Sequence, residues 1–541
     1  MARIQTLTLL LASVLPCLGR SGYSQHPLRQ SAIEARTNSP FTDDFGTFVD
    51  SVLSDFKVPG LSVAVVDRNH TFSHGYGFAT LPDVKATPET LWFGASTTKA
   101  FVAATLSQFI QNKSYPALAE DGWGTPIASI IPDDFVLADD WATKHSTLDD
   151  AVCHRTGLPR HDYTWQYTTN GSHTPIRDVV RSLRHLPLTA EPRTVHQYNN
   201  LMYMVLSHVI ETLTKKPLQT TFRELIWGPL KMNSTFLDVA EAKASPHHLA
   251  TGYHWNQTSQ SYGAIVHDTL QESGAAGIIT NVLDHAKWMR SLLTRTGPLS
   301  SDTHDDIRRP RIISAEPASG TDYRLYGLGW DRTVFHGEPL YRHIGEALSF
   351  GTTLYWLPKR NYGVVAMANV YKQGNIAGEV VVRRLVEDAM GIPDKDRFDR
   401  AKAGKELLET LDGEFAKAPE DVYGKLPQKT VPPPVALSKL EGEYFDAGYG
   451  RLVFKLSGNN GSQVLIAERP ETVYQYNVRL QHVSANDWVA FFESRIGSRL
   501  PAQYFGAHFK TDNSTVSALD INFVTGQTGT KNYNVTFNKI A

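Results

Sequence analysis

The feature that most constrains this chain is a change of hydrophobic rhythm across a run of prolines, Val431-Pro432-Pro433-Pro434. Successive prolines hold an extended backbone and cannot continue a helix, so the run reads as a linker. Beyond it, residues 435–541 alternate apolar and polar positions, with glycine- and asparagine-rich turns at 448–450 and 459–461. A period of two is the mark of strands that bury one face. Strands are predicted at 452–456, 464–466, 488–492 and 519–523, enough for a small antiparallel all-β barrel or sandwich.

Upstream of the prolines the rhythm is mixed. Phe41, Phe45, Phe48, Val49 and Val52 fall at helical spacing, and Pro59-Gly60 ends that helix. Residues 61–66 follow as a buried strand, and 327–330, 352–358 and 362–368 are later strand candidates, with long helical patterns between. A charged helical stretch at 394–411 leads into the prolines. Three parts are therefore expected after a leader: a mixed helix-and-strand unit at 41–391, a helical segment and linker at 392–434, and the β unit at 435–541. A length of 541 residues has room for about three to four domains' worth of structure.

Residues 1–19 read as a secretory signal. Arg3 supplies the positive start, 7–18 the short apolar stretch, and Cys17 and Gly19 the small residues at the cut. Export is the expectation, and eight Asn-x-Ser/Thr sequons suit it: Asn69, Asn112, Asn170, Asn233, Asn256, Asn460, Asn513 and Asn534. No later run approaches the roughly 20 apolar residues of a membrane span, so no transmembrane segment is expected. Loss of the leader takes Cys17 with it and leaves Cys153 alone. That count excludes a disulfide framework, a zinc ribbon or an iron–sulfur centre. With 53 basic against 55 acidic residues, the chain lacks the basic excess of a nucleic-acid binder.

One pattern carries chemistry. Phe93-Gly94-Ala95-Ser96-Thr97-Thr98-Lys99 precedes an apolar run, placing Ser96 at a helix start and Lys99 one turn further on the same face. A serine hydroxyl needs an adjacent base to attack, and a lysine in apolar surroundings beside a helix N-terminus gives up its proton more readily. Backbone N–H groups at that start can face a developing oxyanion. Ser54-Asp55-Phe56-Lys57 fits the same spacing, but it closes a helix and lacks the apolar run. His154 and His161 fit no zinc spacing and read as loop residues, Cys153 as a small buried apolar group. Tyr163, Trp165 and Tyr167 read as loop packing or as one wall of a cleft. No Gly-x-Ser-x-Gly elbow and no phosphate-binding glycine loop is present.

Two companions follow in order. Tyr198-Asn199-Asn200 opens an apolar helix, and His343-Ile344-Gly345 precedes a strand candidate. Serine–lysine, then tyrosine–asparagine, then a basic residue with glycine two later resembles the serine β-lactamase and penicillin-binding protein superfamily. Among its branches the class C β-lactamases and the related esterases and D-aminopeptidases are most similar. The resemblance spans roughly 41–391, with supporting stretches at 58–66, 154–159, 275–280, 284–288 and 363–369. It implies an α/β (α+β) fold: an antiparallel sheet flanked by helices, plus a helical lobe. It also implies that Ser96 is acylated, that Lys99 and Tyr198 share base and proton-shuttle work, and that Asn200 orients the carbonyl or Lys99. The backbone N–H groups of Ser96 and of Glu346, the residue after Gly345, would form the oxyanion hole.

Two positions depart from the pattern. His343 stands where β-lactamases of this superfamily carry lysine, which argues against tight capture of a penicillin-type carboxylate. Glu346 is expected to turn outward, because a buried unpaired carboxylate is costly. The resemblance thus implies a hydrolase of a small ester, amide or peptide that needs no metal or cofactor. Acyl transfer to another acceptor, D-amino-acid peptidase or true β-lactamase activity, and a non-catalytic binding protein of the same fold stay open. So does the role of the β unit as lid, solubility module or brace, and the sequence does not set an oligomeric state.

Overall fold

Asp43–Phe56 is helical for reasons written locally. Thr42 caps it by accepting from the Phe45 N–H at 3.2 Å, and Asp43 and Asp44 sit in the first turn, where the helix dipole favours them. Phe45, Val49, Val52, Leu53 and Phe56 form its buried stripe, and Lys57 ends it in a left-handed conformation before Pro59. The structure, a computed structural model, describes residues 38–541 apart from Asn170, 266–272, 318–321, Leu348, 459–462, 496–502, 513–514, Gly526 and Thr528. The expected leader and the sequons at Asn170, Asn460 and Asn513 lie outside the described residues.

The strand Gly60–Asp67 shows how the layers form. Val63 and Val65 join the helices Asp43–Phe56 and Lys372–Met390 in one cluster, while Ala64 and Val66 face the opposite one with Lys99–Gln111 and Val282–Thr294. Alternate side chains thus serve two cores. Each fully buried Val or Leu contributes about 1.5–3 kcal/mol. The sheet has nine strands in the order Ile312–Ala315, Arg324–Tyr326, Asp331–Phe335, Glu338–Ala347, Phe350–Leu357, Tyr362–Ala368, Gly60–Asp67, His70–Thr80 and Val84–Lys85. Every pairing in it is antiparallel. Helices cover both faces, as the resemblance implied.

The strand expected at 327–330 is not one. Gly327 to Trp330 make the turn between Arg324–Tyr326 and Asp331–Phe335, where Gly329 takes φ +74° and a Cβ on it would lie 2.8 Å from the Ala100 backbone. Gly329 serves a tight approach to the helix that follows Ser96 and Gly327 one to the Arg309 backbone, not a pleat.

After the sheet, helix Arg400–Glu414 occupies most of the expected 394–411 segment, and residues 432–434 belong to no helix or strand. The β unit is a closed barrel of eight strands in chain order, sealed by Gly442–Asp446 pairing with Tyr533–Lys539. The four predicted strands are present. Four more were not foreseen: Gly442–Asp446, Tyr476–Ser484, Gln503–Asp512 and Tyr533–Lys539. In Tyr476–Ser484 the inward residues Tyr476, Val478 and Leu480 stand singly between Asn477, Arg479 and Gln481, so polar neighbours dilute the apolar signal. Among the described residues, no helix is long and apolar enough to cross a membrane.

Candidate active site

Ser96 follows a short edge strand, Trp92–Ala95, and sits in a tight turn leading into Lys99–Gln111. Ala95 carries φ 49°, a left-handed value that a Cβ disfavours. The two threonines hold this strained turn. Thr97 Oγ1 donates to Gly94 O at 2.9 Å, and Thr98 Oγ1 donates to Ala95 O at 2.6 Å while accepting from the Ile278 N–H at 3.0 Å.

Lys99 is fully buried one turn on. Its Nζ donates to Ser96 Oγ at 3.1 Å, to Asn200 Oδ1 at 2.8 Å and to Ala275 O at 2.7 Å. Three donors meet three acceptors, the full complement of an ammonium group. Nζ also lies 4.9 Å from the Tyr198 ring centre and 5.1 Å from that of Tyr203. Tyr198 lines the same cavity as Ser96. Burial pushes its phenol up, against the pull of the nearby Ser96 hydroxyl and of the Arg160 charge.

Asn199 wires this pair into place. Its side chain caps the helix Asn200–Thr214 by accepting from Met202 N–H at 2.8 Å, its amide donates to Leu158 O at 3.3 Å, and its own N–H donates to His154 Nδ1 at 3.1 Å. His154 is buried, its ring 4.3 Å from that of Tyr198, and burial together with nearby Lys99 holds it well below the usual histidine range. Asn200 passes its free amide hydrogen to Asp162 Oδ1 at 3.1 Å. Two pairs from opposite ends of about a hundred residues, Ser96 with Lys99 and Tyr198 with Asn200, thus meet at one centre, Lys99 bonding to Ser96 and Asn200 with the Tyr198 ring beside it.

The third motif lies on Glu338–Ala347. Pairing with Asp331–Phe335 stops at Asp331 opposite Arg342, so beyond that point the strand pairs, among the described residues, only on its Phe350–Leu357 side. Its open edge faces the Ser96 turn. A Cβ on Gly345 would sit 2.2 Å from Gly94 O, so only glycine lets the strand approach that closely. Asn375 Nδ2 holds the strand from behind by donating to Gly345 O at 3.0 Å.

His343 turns into this space as a neutral ring. Nδ1 donates to Ile344 O at 2.8 Å, which leaves Nε2 to accept from Tyr326 Oη at 3.0 Å. Burial first, then the charge of Lys99 against that of Asp331, lowers its pKa to about 4. It offers no cation for a substrate carboxylate. The outward orientation expected of Glu346 is corrected. Its side chain lines the cavity and pairs with Lys372 Nζ at 3.3 Å, so the carboxylate is not left without a counter-charge.

The centre opens into a cavity of about 470 Å³. Several residues that the motifs did not mark line it: Arg160 and Asp162, paired with each other, Arg324 and Asp331, Tyr326, and Tyr371 beside Lys372. Arg160 and Asp162 flank His161 in a stretch read as a loop, and only the fold brings them beside Tyr198 and Asn200. The opposite wall comes from the barrel, including Tyr449, Tyr474, Phe505, Phe523 and Tyr533. Of the aromatic trio, Tyr163 reaches the cavity. Trp165 and Tyr167 instead bond through their backbones to the 471–473 turn of the barrel. His161 accepts from Tyr449 Oη at Nδ1, 2.9 Å away, and donates from Nε2 to Pro187 O at 3.0 Å. Cys153 is buried, its thiol directed to Asp149 O and its pKa pushed up by burial.

An antiparallel sheet between helix layers, with a serine–lysine–tyrosine centre at its open edge, defines the architecture shared by β-lactamases and penicillin-binding proteins. The Beta-lactamase family model matches residues 45–388, and the chain belongs to that family. An unguisins hydrolase of Aspergillus campestris is 36% identical over 419 residues, covering 77% of this chain and 78% of that one. A second, from Aspergillus violaceofuscus, is 35% identical over 477 residues, covering 84% and 83%. An octameric penicillin-binding protein homologue from Pyrococcus abyssi superposes with a TM-score of 0.57 at 17% identity, over 91% of this chain and 99% of that one. That last likeness is one of fold. The family is one of hydrolases acting on amide and ester bonds.

Proposed function

We propose that the chain is a serine hydrolase that opens an amide or ester bond through an acyl-enzyme at Ser96. The observation that carries this reading is Lys99 Nζ held 3.1 Å from Ser96 Oγ, with Tyr198 beside them in the same cavity, its ring centre 4.9 Å from Nζ. In the reactive form the set Ser96, Lys99 and Tyr198 carries one proton fewer than when fully protonated, and its titration belongs to the set. Ser96 Oγ bonds to the substrate carbonyl carbon as its proton passes to that set. The carbonyl oxygen becomes an oxyanion facing the backbone N–H groups of Ser96 and Glu346. The carbon–nitrogen or carbon–oxygen bond then breaks, and the leaving group takes the proton. Water repeats the sequence on the acyl-enzyme and returns Ser96 to its starting state.

The two unguisins hydrolases support a substrate of the kind their name gives. The neutral His343 supports a substrate other than a penicillin-type carboxylate. The test is incubation of the purified chain with an unguisin and, separately, with a fluorophosphonate probe. Gain of one water by the unguisin and labelling of Ser96, both lost in Ser96→Ala, are the expected results. An unchanged unguisin alongside a labelled serine removes that substrate and keeps the class, whereas no labelling removes the class. We also propose that the chain is exported and glycosylated. Asn69, Asn112, Asn233, Asn256 and Asn534, the sequon asparagines within the described residues, are all exposed, which supports this reading. A mass loss on glycosidase treatment of secreted protein is the check.

A further inference from the structure

The two sides of the cavity differ in kind. All its charged side chains among the described residues come from the sheet-and-helix part: Arg160, Asp162, Arg324, Asp331, Glu346 and Lys372. The barrel contributes none. What it contributes lies at a single rim, where strands join in hairpins. Tyr449 is in the first hairpin, Tyr474 precedes Tyr476–Ser484, Phe505 lies near the start of Gln503–Asp512, and Phe523, Val524 and Tyr533 border the last connection.

This rim is a fixed wall. The N–H groups of Tyr167 and Thr168 donate to Glu471 O at 2.8 and 3.1 Å, Val473 N–H donates to Trp165 O at 2.9 Å, and Lys531 N–H donates to Thr189 O at 2.8 Å. Backbone bonds from two hairpin connections to the sheet-and-helix part leave little freedom for a lid motion. The rim also presents carbon. Tyr449 and Tyr533 bond to each other through their hydroxyls at 2.8 Å, and Tyr449 also donates to His161, so their polar ends are engaged with protein groups. Phe523 packs against Phe505 at 4.6 Å, Tyr449 at 4.9 Å and Tyr533 at 5.1 Å between ring centres. Beside them Val524 is an apolar side chain 54% exposed.

We propose that this barrel rim is the specificity subsite of the site, taking a bulky apolar or aromatic group of the substrate while the reacting carbonyl lies at Ser96. The inference rests on the hydrolase reading of Ser96. Aromatic walls give offset-stacked and edge contacts to rings and apolar contact to chains, and a desolvated pocket discriminates by about 10–200-fold per well-buried apolar group.

The full chain is assayed with two ester series. One varies the acyl group from acetyl to octanoyl and 3-phenylpropionyl, and the other varies the alcohol from ethyl to 2-naphthyl. In at least one series kcat/KM is expected to rise about tenfold or more with apolar size, octanoyl against phenylpropionyl distinguishing a chain from a ring. Val524→Asp and Phe505→Ala should each cut that rise about tenfold. Val524 is exposed, so Val524→Asp keeps the test open if Phe505→Ala fails to fold. Val453→Asp, on the outer wall of the barrel, serves as the control that keeps the native profile. Fluorophosphonate labelling separates the two readings. No labelling of the native chain overturns the hydrolase reading and the subsite with it. A labelled serine with a flat size profile, or one that Val524→Asp leaves intact, overturns the subsite alone.

Discussion

The sheet-and-helix part and the barrel store information differently. In the first, single residues decide. Gly345 permits a close approach to Gly94, Asn199 caps one helix and ties it to the loop of His154 and Leu158, and Lys99 meets three acceptors. In the barrel the decision is spread over alternating positions such as Tyr444, Leu452, Phe454 and Leu465, any one of which has many substitutes. Among the described residues the barrel adds no charged side chain to the cavity, yet it forms one of its walls. A chemically plain module thus gains a role through where it docks.

The largest effect that would test this contrast is at the centre. Ser96→Ala should remove labelling and lower hydrolysis by about 10⁴-fold or more, and Lys99→Met should lower kcat by about 10²–10⁴-fold, both read by steady-state kinetics. Retained turnover in either would break the contrast at its root. Next comes a pair of glycines. Gly345→Ala drives a Cβ against backbone and should cost about 3 kcal/mol, whereas a Cβ on Gly506 meets the tip of Val422 at 3.1 Å, and Gly506→Ala should cost under about 1 kcal/mol. Denaturant unfolding measures both, and equal losses would blur the distinction between the two parts.

Acid should expose the junction. His161, His196, His285 and His343 are all lowered from the usual 6.5 to about 4, chiefly by burial. Depressed histidines bind protons more readily in the unfolded chain, so stability should be full above about pH 6.5 and fall steadily toward pH 4. Melting temperature against pH tests this, and His161→Ala should flatten the curve while costing about 1–3 kcal/mol at neutral pH through the acceptor removed from Tyr449. A curve unchanged by His161→Ala would show that the junction bears none of this load. The smallest effect is expected at the outer barrel surface, where Val453→Asp should shift stability by no more than about 0.5 kcal/mol.

Much of the fold was legible before any coordinates. The strands at 61–66 and 362–368 were plain because both faces are buried and the apolar runs are unbroken. The first helix showed its stripe, and the proline run marked where alternation begins. The glycines at 327–330 misled because a close approach to Ala100 was not visible in composition, and half of the barrel strands were hidden by polar outward neighbours. In the site, the structure brings Ser96, Lys99, Tyr198, Asn200 and His343 near one another. Glu346 did not turn outward, because its partner Lys372 lies on a different element that spacing alone could not bring near.

The linear chain, then, suffices for the parts of this protein that depend on near neighbours: the Ser96–Lys99 turn, the capped start of the tyrosine–asparagine helix, the apolar strands and the alternation of the barrel. Those follow from backbone sterics and from periods of two and 3.6, which act over a few residues. The rest required the chain to fold back on itself. The four-residue centre, the neutral state of His343, the Glu346–Lys372 pair and the aromatic rim over the cavity all depend on contacts across tens to hundreds of positions. Burial and charge act through space, and the chain's neighbours in space are set only once every layer has packed.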